Sequence, residues 1–142
     1  MDNFDIGITT FSLRYDFVES LVNSIRTLGV DNNIFLCING EKDSNFSENY
    51  RQKILSLCIN QKNVFPIFFV ETRGLSKMWN TLIIHSTKEN TLILNDDIDL
   101  VNENMFDVVS EHIESSEYYG LSKINDTFSY FVAVGSFSGS AV

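Results

Sequence analysis

The stretch Asn90-Thr-Leu-Ile-Leu-Asn-Asp-Asp-Ile-Asp-Leu100 decides how this chain is read. Thr91 to Leu94 is mostly apolar and predicts a short buried strand, with Asn90 at its start. Asn95, Asp96 and Asp97 follow at once, and Asp99 comes shortly after. A buried strand that ends in clustered carboxylates brings like charges together, which is unfavourable unless a cation neutralises them. Hard divalent ions such as Mg2+ and Mn2+ take oxygen ligands and keep room for substrate phosphates. The stretch therefore predicts a metal site at the carboxyl end of a sheet strand. The plainer alternative is a polar loop in which Asp97 or Asp99 caps the next helix. Asp-Asp-x-Asp alone does not separate the two; the preceding segments do.

Working back, Leu75 to Ser86 predicts a helix and Val64 to Val70 an apolar strand, with Pro66 near its start, where a missing amide is tolerated. Ser47 to Ile59 predicts a helix with Ser47 as N-cap and Tyr50, Ile54, Leu57 and Cys58 inward. Asn33 to Ile38 is a continuous apolar run, which implies burial on both faces, and Asn39-Gly40 then turns the chain. Asp16 to Leu28 carries Phe17, Val18, Leu21, Val22, Ile25 and Leu28 at the spacing of one helical face. Gly29 is placed to stop that helix. Asp5 to Thr10 predicts the first strand. Strands and helices thus alternate, and each crossover is long enough for a parallel connection. The class is α/β, a mostly parallel sheet with helices on both faces. Ligands in such sheets bind beyond the carboxyl ends of the strands. Thr9–Thr10, Asn39–Gly40 and Asn95–Asp97 all lie at such ends, so three polar clusters are expected on one rim. Beyond them, Asn102 to Ser116 predicts an amphipathic helix, and Tyr118 to Ile124 and Phe128 to Val134 two further strands. No repeat or linker interrupts the sequence, so residues 1–142 are read as one domain.

The 142 residues are enough for one domain with a real core, and the apolar fraction of 44% is ordinary. The net charge of −9, with no basic stretch, argues against a nucleic-acid surface and against adhesion to anionic lipid. Cys37 and Cys58 sit in apolar segments without metal-ligand spacing and read as reduced core residues. The sequence starts without the basic and apolar regions of a signal peptide, and no run has the length of a membrane span. The cytoplasm is the expected compartment, with any approach to the inner face of a membrane made through partners. His85 and His112 read as structural and solvated, Trp79 as a core anchor, and Glu41 to Asn49 as a solvated loop.

Taken in order, Asp5-Ile-Gly-Ile-Thr-Thr-Phe-Ser-Leu-Arg14, Ile34-Phe-Leu-Cys-Ile-Asn-Gly40, Arg73-Gly-Leu-Ser-Lys-Met-Trp-Asn80 and Leu92-Ile-Leu-Asn-Asp-Asp-Ile98 resemble the donor half of a GT-A glycosyltransferase of the family 2 type. The resemblance runs from about Asp5 to Leu100. It implies a nucleotide-diphospho-sugar transferase fold that binds a nucleotide-diphosphate sugar donor with Mn2+ or Mg2+. Thr9, Thr10 and Arg14 match the loop that holds the nucleotide, with Leu13 as one extra residue. Asn39 stands where the family usually has an acidic, base-reading residue. Gly74 and Asn80 match recurring positions, while Trp79 stands where Arg is frequent. Asn95-Asp96-Asp97 matches the acidic metal motif, so the resemblance implies Asp97 and Asn95 on the metal and Asp96 on the donor ribose or sugar. Arg14, Arg73 or Lys77 would help a metal ion to stabilise the leaving diphosphate.

The family's inverting reaction also needs a carboxylate base on the acceptor side, and this sequence has no Asp or Glu after Asp126. A metal-dependent glycosyltransferase domain is therefore weighed against a non-catalytic or shortened nucleotide-sugar binding module. The acceptor (glycan, lipid-linked glycan or protein) is not specified. A nucleotidyltransferase ranks lowest, because Phe11-Ser-Leu-Arg-Tyr15 lacks the glycines of its basic loop. Thr127 to Val142 is uncharged and β-prone, and such an edge is a template for pairing. A homodimer that buries this tail is expected, with internal pairing as the alternative.

Overall fold

The structure is a computed structural model that describes residues 2–40, 48–100 and 104–115. The chain separates into two compact units, Met1–Glu103 and Asn104–Val142. The first holds β1 (Asp5–Phe11), α1 (Tyr15–Thr27), β2 (Ile34–Asn39), α2 (Glu48–Asn60), β3 (Val64–Phe68), α3 (Leu75–His85) and β4 (Thr91–Asn95). In the second, α4 (Met105–Ser115) is opened by a hydrogen bond from the Val108 amide to the Asn104 carbonyl at 3.0 Å. The expected N-cap Ser47 and the strands predicted over Tyr118–Ile124 and Phe128–Val134 lie outside the described residues, as does the tail from Thr127. Among the described residues no helix is long and apolar enough to cross a membrane.

The four strands form one parallel sheet in the order β3-β2-β1-β4. The fold class is therefore α/β. From β1 the chain steps outward to β2 and β3, then returns past β1 to β4. That reversal puts α3 on the opposite face from α1 and α2 if all crossovers share one hand. Side-chain alternation along the strands agrees. Cys37 packs with Met78 and Leu82 of α3, flanked by Phe35, Phe69 and Ile93. A Cβ on Gly7 would lie 2.9 Å from Leu82 Cδ1, so the absent side chain lets α3 approach β1. Ile6, Ile8, Ile34, Leu36 and Ile38 have the opposite parity and form the core with Val18, Leu21, Val22 and Ile25 of α1 and Ile54 and Leu57 of α2.

Helix α1 ends as its sequence requires. Gly29 adopts φ +82°, a conformation that suits glycine. Phe17 departs from the periodic expectation: it is 48% exposed, and Arg14 stacks on it instead. Strand β3 ends at Phe68, short of Val70, because the chain there turns across Gly40. A Cβ on Gly40 would meet the carbonyl oxygens of Val70 and Phe69, which as backbone atoms cannot swing away. β4 is only partly buried along most of its length and lies at the edge of the described sheet.

Two polar anchors hold the amino ends of the strands. Asp5 is fully buried, and its Oδ2 accepts hydrogen bonds from the Thr87 amide at 2.6 Å, Thr87 Oγ1 at 2.8 Å and Ser86 Oγ at 3.0 Å. Arg26 donates to the carbonyls of Val30, Asn32, Lys62 and Asn63 at 2.5–3.2 Å, gathering the loops that enter β2 and β3. Burial lowers the affinity of Arg26 for its proton, and the charge of Asp31 works against that effect.

Replacing Asp5 by Ala removes the acceptor shared by the Thr87 amide, Thr87 Oγ1 and Ser86 Oγ; these groups are partly open to water, and unfolding in urea is expected to show a loss of about 1–3 kcal/mol. Burial holds the thiols of Cys37 and Cys58 up at about 11. An unfolded thiol ionises near about 8.5. Between these values the unfolded chain gives up protons that the folded chain keeps, so stability falls as pH rises. Urea midpoints above pH 8.5 should decline towards pH 11, and the decline should be shallower in Cys37→Ala.

Candidate functional site

Parallel pairing of β1 with β4 sets Thr9 opposite Asn95. The next residues, Thr10 and Asp96, are therefore neighbours just past the end of the ladder, on the face of α1 and α2. Thr10 Oγ1 donates to Asp96 Oδ2 at 2.7 Å, and Asp96 is 6% exposed. On the other face Thr9 Oγ1 meets Asn95 Oδ1 at 3.4 Å, a weaker contact. This is the point where the strand order reverses, between β1 and β4. In open α/β sheets the crevice outside such a point is the usual ligand position.

Arg14 completes the cluster from the loop between β1 and α1. Its Nε and Nη2 donate to Asp96 Oδ2 and Oδ1 at 2.6 and 2.9 Å, a two-point fork on one carboxylate. Nη2 also lies 3.7 Å from Asp97 Oδ2, whose side chain is 58% exposed. The guanidinium stands 4.3 Å from the Phe17 ring centroid and 5.3 Å from that of Phe11, so aromatic faces steady it where solvent would otherwise loosen it. The hydrogen bond to Asp96 raises the Arg14 pKa, partly opposed by desolvation. Because guanidinium stays protonated in any case, the trio of Arg14, Asp96 and Asp97 carries one net negative charge.

Asn39 occupies the rim at the end of β2, but its amide is engaged by the chain itself. Nδ2 donates to the Arg73 carbonyl at 2.8 Å, and the Arg73 amide donates to Oδ1 at 2.8 Å. Thr72 Oγ1 adds a bond to the Gly40 carbonyl at 2.9 Å. Gly74 is the N-cap residue of α3, and Lys77 and Asn80 lie exposed on that helix. Among the described residues, no hydrogen bond or ion pair joins these three to the Arg14–Asp96 cluster. The structure thus brings together Thr10, Arg14, Asp96 and Asp97, sets Thr9 and Asn95 directly behind them, and gives Asn39 a partner of its own.

The same loop forms one wall of a cleft of about 310 Å³, lined by Ser12, Arg14, Tyr15, Phe17, Tyr50 and Lys53 among others. Lys53 Nζ sits 5.5 Å from the Tyr15 ring centroid. Tyr50 donates to the Phe11 carbonyl at 3.3 Å, and burial raises its phenol. Lys53 was not singled out from sequence, although a signal existed: it follows the inward Tyr50 by three residues, so both share a helix face. Comparison with known proteins finds no matching family model, curated protein or solved structure.

The acidic pair does not, as arranged, fit a divalent ion. Both Asp96 oxygens are engaged by Arg14, with Thr10 adding a bond to one of them, which leaves the Asp97 carboxylate beside a fixed positive charge. Among the described residues no group of three or more His, Cys, Asp or Glu side chains could hold a metal ion. Thr10→Val keeps the side-chain shape but deprives buried Asp96 of a donor. Thermal or urea unfolding is expected to show a loss of about 1–3 kcal/mol.

Proposed function

We propose that the unit spanning residues 1–103 binds a nucleotide-diphosphate sugar at the rim beyond β1 and β4 and serves as the donor-binding part of a glycosyltransferase of GT-A type. The observation that carries this reading is the Thr10–Arg14–Asp96 cluster, which sits at the reversal point of a parallel sheet. Arg14 is a planar cation suited to phosphate, and Asp97 beside it is an exposed carboxylate able to accept from sugar or ribose hydroxyls. The adjacent cleft offers the nucleotide a second cation, Lys53, and aromatic and polar side chains along its walls. Asn39 supports the rim by holding the loop before α3.

Titration calorimetry with a panel of nucleoside diphosphates tests the reading. Saturable binding of one or more of them is expected, weakened at least about tenfold in Asp97→Ala if its carboxylate bonds the ligand directly. Hydrolysis or transfer from the matching nucleotide sugar then separates an enzyme from a binding module. No binding by any nucleoside diphosphate would overturn the reading.

A further inference from the structure

Arg14 stands between two surroundings. One edge of its fork, Nε and Nη2, is spent on Asp96. Nη1 remains on the other edge, and Arg14 also lines the cleft whose α2 wall carries Lys53. In a chain of net charge −9, two cations on one small cleft are a local exception. Asp16 is the one carboxylate among the described residues that line it. The cleft also opens at the start of α1, where the helix dipole favours negative charge. Of the two carboxylates that a metal ion would need, Asp96 is already matched to Arg14, and Asp97 lies 3.7 Å from the same guanidinium.

We infer that Arg14 is the resident cation of this site, and that the cleft holds the phosphate groups of its ligand between Arg14 and Lys53 without a divalent metal ion. The inference rests on the nucleotide-binding reading above and changes how the charge of that ligand is met. An arginine can hold a carboxylate on one edge and a phosphate on the other, because its five donors point in fixed and different directions. A divalent ion at Asp97 would instead lie against the guanidinium and be repelled by it. Lys53 is exposed and stacked only loosely on Tyr15, so it is free to swing onto a phosphate.

The test uses inorganic pyrophosphate and a nucleoside diphosphate as calorimetric probes, first in EDTA and then with Mn2+. Both should bind in EDTA, and Mn2+ should leave the affinities nearly unchanged. Lys53→Gln, a change on an exposed helix position, should weaken both by about tenfold, the loss expected for one charge-assisted hydrogen bond. Mn2+ alone, followed by its paramagnetic resonance signal, should not bind the native chain. A nucleotide that binds only with Mn2+, or a Lys53→Gln chain that binds as the native one does, overturns the inference; the first outcome leaves the nucleotide reading standing. Pyrophosphate binding in EDTA that depends on Lys53, with no gain from the nucleoside, supports the inference and removes the nucleotide reading. If neither probe binds, both fall.

Discussion

Strand β1 is hydrogen-bonded along both edges and covered by helices on both faces, so a polar side chain on it must be satisfied inside the protein. It has such side chains at both ends, and the segments flanking β4 satisfy them. At the amino end the carboxylate belongs to β1: Asp5 accepts from Ser86 and Thr87, which precede β4. At the carboxyl end the roles are exchanged: Thr10 of β1 donates to Asp96, which follows β4. The two strands are therefore tied at both ends by carboxylate–hydroxyl bonds of opposite polarity. They are also the pair most distant in sequence, and closing so long a loop costs more entropy than any other pairing in the sheet. Side-chain ties thus lie at both ends of the pairing where that closure has to be held.

The upper tie is also what shapes the rim. Asp96 is buried, so it requires a partner, and Arg14 can reach it only if the loop after β1 folds back over the strand ends. Phe11 and Phe17 flank the guanidinium and keep it there. The loop then presents its other side to α2, which makes the cleft. One buried carboxylate thereby sets the position of the cation, of the loop and of the cleft wall together.

The alternation of strands and helices was legible because apolar runs and helical spacing are local properties of the sequence. Thr10, Arg14 and Asp96 were recognisable as candidates, but their mutual contact was not, since more than eighty residues separate Arg14 from Asp96. Only the sheet order brings them together. Phe17 fits the helical spacing of the core, and periodicity cannot distinguish a buried ring from one that lies under an arginine. Asp5 read as the start of a strand because nothing near it in sequence advertises Ser86 and Thr87. The bonds of Asn39 to the backbone of Arg73 were not legible, because that partner has no signature in side-chain identity.

That clasp has a consequence for how the rim can change. The Asn39 amide uses one of its N–H groups and its oxygen on the two backbone groups of a single residue, Arg73. Both bonds go to one residue, so the clasp fixes the place of Arg73 in the loop before α3. The side chain works as an extra rung after the β2–β3 ladder has ended, and it keeps the reading frame of the loop. A residue added or removed between Phe68 and Arg73 would have to be taken up at the bends of Val70 and Glu71 for Arg73 to keep both bonds. Variation in loop length is thereby confined to the stretch before Arg73, and at the clasp itself change is left to the side chains of Thr72 and Arg73.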